Sequence, residues 1–153
     1  MTLRVPEGVY CRYPWAERKY MIKIGDFARL SQVTKVYYYI RKQDAKDDGL
    51  CMTLWHSPAD VYTNEDAEAI VVIDRVLPGT DRVKVYKLPP MQVAAVVHHG
   101  DFEEFTQGHA ALLEWIDSNG YRIVGPYREL YIKHEKKNLA DTITEIQFPV
   151  EKA

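Results

Sequence analysis

Glu129 stands in the segment Glu129-Leu130-Tyr131-Ile132, where side-chain character alternates with the period of a strand. Alternation puts Glu129 and Tyr131 on one face and Leu130 and Ile132 on the other. The Leu130–Ile132 face is expected against a helix, leaving an acid beside an aromatic ring on the opposite face. That face is either a solvated outer surface or the wall of a pocket. In a pocket the carboxylate is costly to ionise unless a positive partner offsets its desolvation. A bulky lipophilic cation meets that need: its charge pairs with Glu129, and each aromatic face adds about 0.5–2 kcal/mol. Candidate walls are Tyr131 and Trp55 on strands, Phe105 and His109 on one expected helix, and Tyr37 or Tyr38 on another. Core packing is the competing role for the helical residues. Glu129 could instead be catalytic, orienting or deprotonating water against an electrophile.

Other chemistries find little support. Among the five histidines, His98 and His99 are adjacent on a strand and point to opposite faces, so they cannot grip one ion together. No cysteine or acidic cluster completes a ligand set, and no metal site is expected. With no phosphate-cradling glycine loop and no nucleophile elbow, no cofactor is expected either. Cys51 is read as a half-buried structural thiol rather than a nucleophile. Two cysteines are too few for a disulfide scaffold, and Met1–Tyr10 lacks the basic start and apolar run of a signal peptide, so a cytoplasmic protein is expected. The longest apolar runs, Ala69–Ile73 and Val93–Val97, are strand-sized and exclude a helical membrane span. A net charge of −2 without a basic block argues against nucleic acid as a direct partner. Apolar residues at 46% and charged residues at 27% are ordinary globular usage, and 153 residues suit a single domain. Eleven tyrosines and three tryptophans suit a pocket lining or an aromatic-rich core.

The elements that must position these residues come in two sets. At an offset of 75, Pro14 falls on Pro89 and Gly25-Asp26-Phe27 on Gly100-Asp101-Phe102. A strand precedes each Gly-Asp-Phe, Tyr20–Ile24 in one copy and Val93–Val97 in the other. A helix follows each, with the stripes Phe27, Leu30, Thr34, Tyr37, Ile40 and Phe102, Phe105, His109, Leu112, Ile116. Trp115 is assigned, with Leu112, to the core. Asp26 and Asp101 stand where helix caps belong. The helices are expected to end at Asp47-Asp48-Gly49 and Asn119-Gly120. Strands Cys51–His56 and Glu129–His134 follow, placing Cys51 opposite Glu129 in the comparison, and Ala67–Ile73 and Ile143–Val150 close the copies. Pro78-Gly79-Thr80-Asp81 is the turn between halves. The expectation is an α+β fold: a tandem pseudo-twofold duplication of a strand–helix–strand–strand unit, with antiparallel sheets and one main helix per repeat. Repeat one covers about 9–76 and repeat two about 83–151, with a small-molecule groove at their seam.

The second copy resembles a known family. Its succession is Pro89-Pro90-Met91-Gln92-Val93-Ala94, His99-Gly100-Asp101-Phe102, Leu112-Leu113-Glu114-Trp115-Ile116, Asn119-Gly120-Tyr121, Gly125-Pro126-Tyr127-Arg128-Glu129-Leu130-Tyr131 and Thr144-Glu145-Ile146-Gln147-Phe148-Pro149-Val150. It looks like the GyrI-like domain, the effector-binding domain of bacterial transcription activators, strongly over 89–150 and more weakly over 9–73. The resemblance implies paired units around an aromatic pocket, with Glu129 deep inside it facing lipophilic cations, in effector sensing or xenobiotic sequestration. It also implies two alternatives: hydrolysis of strained-ring alkylators with Glu129 as the catalytic residue, and modulation of a protein partner such as a topoisomerase. The chain departs from many relatives at Thr142, where they carry an aromatic wall. Separately, Ile24–Thr34 resembles the opening of a MerR-type helix-turn-helix. Here, however, Tyr37-Tyr38-Tyr39-Ile40-Arg41 runs into a polar turn and a strand, so DNA binding by this segment is not expected.

Overall fold

The computed structural model describes residues 3–4, 9–12, 20–24, 30–57, 67–87, 91–100, 105–133 and 137–153, and only the backbone at 3–4, 9–12, 20–24, 30–34, 48 and 105. In chain order the elements are β1 (Leu3–Arg4), β2 (Val9–Arg12), β3 (Tyr20–Ile24), α1 (Leu30–Lys42), β4 (Asp47–Trp55), β5 (Ala67–Ile73) and β6 (Val83–Lys87). They continue as β7 (Val93–His99), α2 (Phe105–Ser118), β8 (Tyr121–Ile123), β9 (Tyr127–Lys133) and β10 (Ile143–Lys152). Among the described residues the fold is α+β, with antiparallel sheets, two α-helices and a short 3-10 turn at Leu139–Asp141. The chain divides into two compact units, Ala16–Pro89 and Met1–Trp15 with Pro90–Ala153.

In the unit formed by Ala16–Pro89 the sheet runs β4-β5-β3-β6, antiparallel throughout. Val36 and Ile40 of α1 pack with Ala69, Val71 and Ile73 of β5 and with Leu77 and Val83. The sequence of α1, with its three consecutive tyrosines and β-branched residues, has modest intrinsic helix propensity, so packing on β5 is what holds it. The helix stops earlier than the turn at Asp47-Asp48-Gly49. Asp44 adopts a left-handed conformation (φ 50°), and the Asp44 and Ala45 amides donate to the carbonyls of Arg41 and Ile40. Arg75 donates to the carbonyls of Gln43 and Asp44 at 2.9 and 2.7 Å, which satisfies groups the helix end cannot. Asp47–Gly49 instead opens β4, where the register with β5 shifts between Asp47 and Cys51.

In the other unit the sheet runs β1-β2-β7-β10-β9, with β8 on the far end of β10. Leu112, Trp115 and Ile116 of α2 pack with Ala94, Val96, Tyr121, Ile146, Phe148 and Val150. Asn119-Gly120 ends α2 as the sequence indicates: Gly120 takes φ 67°, and the Asn119 side chain donates to the Trp115 carbonyl at 2.8 Å. Gly100, at φ 118°, donates its amide to the Thr142 carbonyl at 2.9 Å and so ties the end of β7 to the approach to β10. Asp26, Phe27, Asp101 and Phe102 of the Gly-Asp-Phe motifs lie outside the described residues.

The packing units are not the stretches 9–76 and 83–151 that look alike in sequence. β2, at the start of the first stretch, pairs with β7; β6, at the start of the second, pairs with β3. The turn at Pro78–Asp81, closed by the Thr80 amide on the Val83 carbonyl at 2.8 Å, therefore joins two strands of one unit rather than two halves. Self-similarity reports which segments are alike, whereas backbone hydrogen bonding decides which of them share a sheet.

Leu112 is fully buried at the centre of the α2 core. Leu112→Ala is expected to cost about 2–5 kcal/mol, read as a lowered urea midpoint at unchanged slope.

Candidate functional site

Register decides which face of the sheet Glu129 occupies. In antiparallel pairs, directly opposed residues project to the same side. Glu129 is paired with Ile146, and Ile146 belongs to the α2 core. Glu129 therefore shares the helix-bearing face, together with Tyr127 and Tyr131 on β9. This reverses the facing read from sequence, in which Leu130 and Ile132 met the helix. Leu130 opposes Glu145 on the other face, and Ile132 is the extra residue of a bulge between the pairs Tyr131–Thr144 and Lys133–Ile143. The bulge leaves Ile132 51% exposed.

Across β7, β10 and β9 the α2 face reads as three rungs: Ala94–Phe148, extended on β9 by Tyr127; Val96–Ile146–Glu129; and His98–Thr144–Tyr131. Glu129 is 8% exposed, and Tyr131 Oη donates to its Oε2 at 3.1 Å. Beside this pair, Tyr127 stacks on Phe148 with centroids 5.2 Å apart. His109 meets both rings edge-on, at 5.1 and 5.6 Å. Burial holds the His109 pKa below its usual value of 6.5, so the ring is neutral at physiological pH. A carboxylate with a tyrosine on each side, one of them stacked on Phe148, sets negative charge beside aromatic faces, the two features that an apolar cation would meet. It could also hold water beside a carboxylate base.

The remaining residues singled out in the sequence lie on α2, α1 and β4. Phe105 opens α2, but its side chain lies outside the described residues. Tyr37, Tyr38 and Trp55 belong to the unit formed by Ala16–Pro89. Tyr37 is half-buried and hydrogen-bonds the Cys51 thiol. Trp55 is half-buried at the end of β4, opposite Ala67. Tyr38 is 69% exposed and so does not wall an enclosed site. Burial raises the Cys51 pKa above 9.0, helped by the nearby Asp47 charge and opposed by the Tyr37 hydrogen bond. The thiol therefore stays protonated, as a structural cysteine should.

Sequence reading missed Tyr127, Phe148 and Thr144. The alternation Tyr127-Glu129-Tyr131 carries the signal for the first, whereas Phe148 and Thr144 need the register. Also missed was a second buried acid, Glu68 on β5, with His56 Nε2 2.6 Å from Oε1 and Tyr86 Oη donating to Oε2 at 3.1 Å. Among the described residues no group of three or more histidine, cysteine or acidic side chains is placed to hold a metal ion, and no helix is long and apolar enough to cross a membrane.

Residues 8–151 match the family described as the GyrI-like small molecule binding domain. The chain belongs to that family. No curated protein matches it in sequence. Solved structures share the GyrI-like fold at low identity. EcmrR in a cryo-EM EcmrR–DNA complex superposes with a TM-score of 0.81 at 23% identity, over 95% of this chain and 57% of that one. The crystal structure of the EcmrR C-terminal domain gives 0.68 at 23% identity, over 97% and 100% of the two chains. A hydrolase encoded by lin2189 from Listeria innocua gives 0.64 at 14%, over 96% and 94%. SAV2435 bound to tetraphenylphosphonium gives 0.51 at 15%, over 92% of each chain. At these identities the likeness establishes the fold, and this GyrI-like domain spans little more than half of the EcmrR chain in the DNA complex.

Two measurements test the local chemistry. As pH falls below about 6.5, the unfolded chain protonates His109 before the folded chain does, so its contribution to stability is lost on acidification. The melting temperature is expected to drop more between pH 7.5 and 5.5 than in His109→Phe, which keeps an aromatic ring but removes the proton site. At pH 7.5, peptide-level mass spectrometry is expected to find iodoacetamide modifying Cys51 at least about tenfold more slowly than in the unfolded chain.

Proposed function

We propose that this GyrI-like domain binds bulky aromatic, lipophilic cations on the α2 face, with Glu129 opposing the ligand's charge and Tyr131 and Tyr127 flanking it. The observation that carries the reading is a nearly buried carboxylate on an aromatic face in a small-molecule-binding family. A tyrosine hydroxyl relieves such a carboxylate by one hydrogen bond, and an organic cation adds opposite charge without demanding a hydration shell. Ring faces contribute about 0.5–2 kcal/mol each toward a cation. SAV2435, which shares the fold, binds tetraphenylphosphonium, a compound of this chemistry. The biological role that fits is effector sensing or sequestration of such compounds. EcmrR, whose C-terminal domain has the same fold, is seen on DNA, which favours the sensing role for a domain of this kind.

The hydrolase of the same fold favours a second reading, in which Glu129 orients or deprotonates water against an electrophile held among the rings. The two readings part on turnover: a strained-ring alkylator would be consumed, and Glu129→Gln would abolish its consumption.

Calorimetric titration with tetraphenylphosphonium and with neutral triphenylphosphine oxide tests the binding reading. The cation is expected to bind more tightly, and Glu129→Gln to weaken it by about tenfold or more while changing the neutral compound little. The proposal fails if neither compound binds, or if the Gln variant holds the cation as tightly as the native chain.

A further inference from the structure

The α2 face carries a polar atom that the described residues leave unused. Thr144 is 0% exposed, and its Oγ1 has no hydrogen-bond partner among the described residues. Leaving a buried hydroxyl unsatisfied costs about 1–3 kcal/mol, and a β-branched apolar residue of the same shape would avoid that cost. The pairing register places Thr144 between Tyr131 and His98, on the rung next to Glu129. On the β7 side of that rung a hollow of about 600 Å³ opens between the end of β7 and the first turns of α2, with Val96, His98, Thr106, Gln107 and Gly108 in its lining. Space therefore adjoins, at His98, the rung that holds the unsatisfied hydroxyl, one rung from the buried acid.

We infer that Thr144 is a further ligand contact, and that the preferred ligand carries a hydrogen-bonding oxygen or nitrogen beside its cationic aromatic body. This rests on the binding reading at Glu129 and narrows its ligand class. The aromatic body lies against Tyr131 and Tyr127 with its charge toward Glu129. The polar group reaches Thr144 Oγ1 from the His98 side and extends into the hollow. A purely hydrocarbon cation fills the first part and leaves the hydroxyl unsatisfied. Thr144 thus acts as a specificity determinant: it separates cations of similar size and charge by whether they can complete its hydrogen bond.

The test compares tetraphenylphosphonium with (4-hydroxyphenyl)triphenylphosphonium on the native chain, Thr144→Val and Glu129→Gln. The native chain is expected to prefer the hydroxylated probe by about fivefold, the worth of one such hydrogen bond. Thr144→Val is expected to bind both probes equally, with tetraphenylphosphonium affinity retained. Equal binding of both probes by the native chain, or a preference that persists in Thr144→Val, overturns the inference while leaving the Glu129 reading intact. If neither probe binds the native chain, the Glu129 reading falls and this inference with it. Thermal melts of the ligand-free proteins supply an independent arm. Thr144→Val is expected to melt at the native temperature or a few degrees higher, because it removes an unsatisfied group. A lower melting temperature would mean that the fold uses the hydroxyl, and would overturn the inference.

Discussion

A carboxylate withdrawn from water has to be stabilised by what surrounds it, and the arrangement of the unit around α2 follows from holding Glu129 in that state. β10 lies between β7 and β9, and its residues from Thr144 to Val150 are buried. That central strand fixes the rungs on which Glu129 meets Ile146, Thr144 meets Tyr131, and Phe148 stacks with Tyr127. The apolar part of the face, from Ala94 and Ile146 to Leu112 and Ile116, supplies the hydrophobic burial that secures α2. The same packing removes solvent from the acid. The core and the proposed site therefore share one face of the sheet.

One unit contains the order β3-α1-β4-β5 and the other β7-α2-β8-β9-β10, and the chemistry on their strands differs. Cys51 opposes Val71 on β4–β5 as Glu129 opposes Ile146 on β9–β10. A half-buried thiol with a raised pKa is neutral and can rest against Tyr37 at little cost. A buried glutamate cannot, unless it is protonated or met by a donor or a cation. In the unit containing α2, Glu129 is met by the Tyr131 hydroxyl. The unit containing α1 keeps its own buried acid, Glu68, engaged by His56 and Tyr86.

Much of this was legible along the chain. The strands Tyr20–Ile24 and Ala67–Ile73 have the limits that alternation and apolar runs indicate, and Asn119-Gly120 ends α2 because few other dipeptides turn a helix end so readily. Leu112 and Trp115 are core residues, as their helical spacing requires. The misreadings were of a different kind. Asp47-Asp48-Gly49 has turn composition but lies in an irregular strand start, because Asp44 and the Arg75 guanidinium had already closed α1. Tyr38 has the residue type of a pocket wall but faces solvent, since Val36 and Ile40 define the buried side of its helix.

Composition, periodicity and turn chemistry are local properties, so by itself the sequence determined the α+β class, the two helices, most strands and the presence of an acid between aromatic residues. The facing of that acid is not local. It depends on which residue of β10 stands opposite Glu129 and on a single bulged residue at Ile132, and a shift of one position would turn the carboxylate to the other side of the sheet. Strand partnership is likewise a long-range matter, which is why β2 and β6 join sheets that their place in the repeats does not indicate. Only the tertiary pairing brought Glu129, Tyr131, Thr144 and His98 onto neighbouring rungs, because hydrogen-bond register between distant segments has no signature in either segment alone.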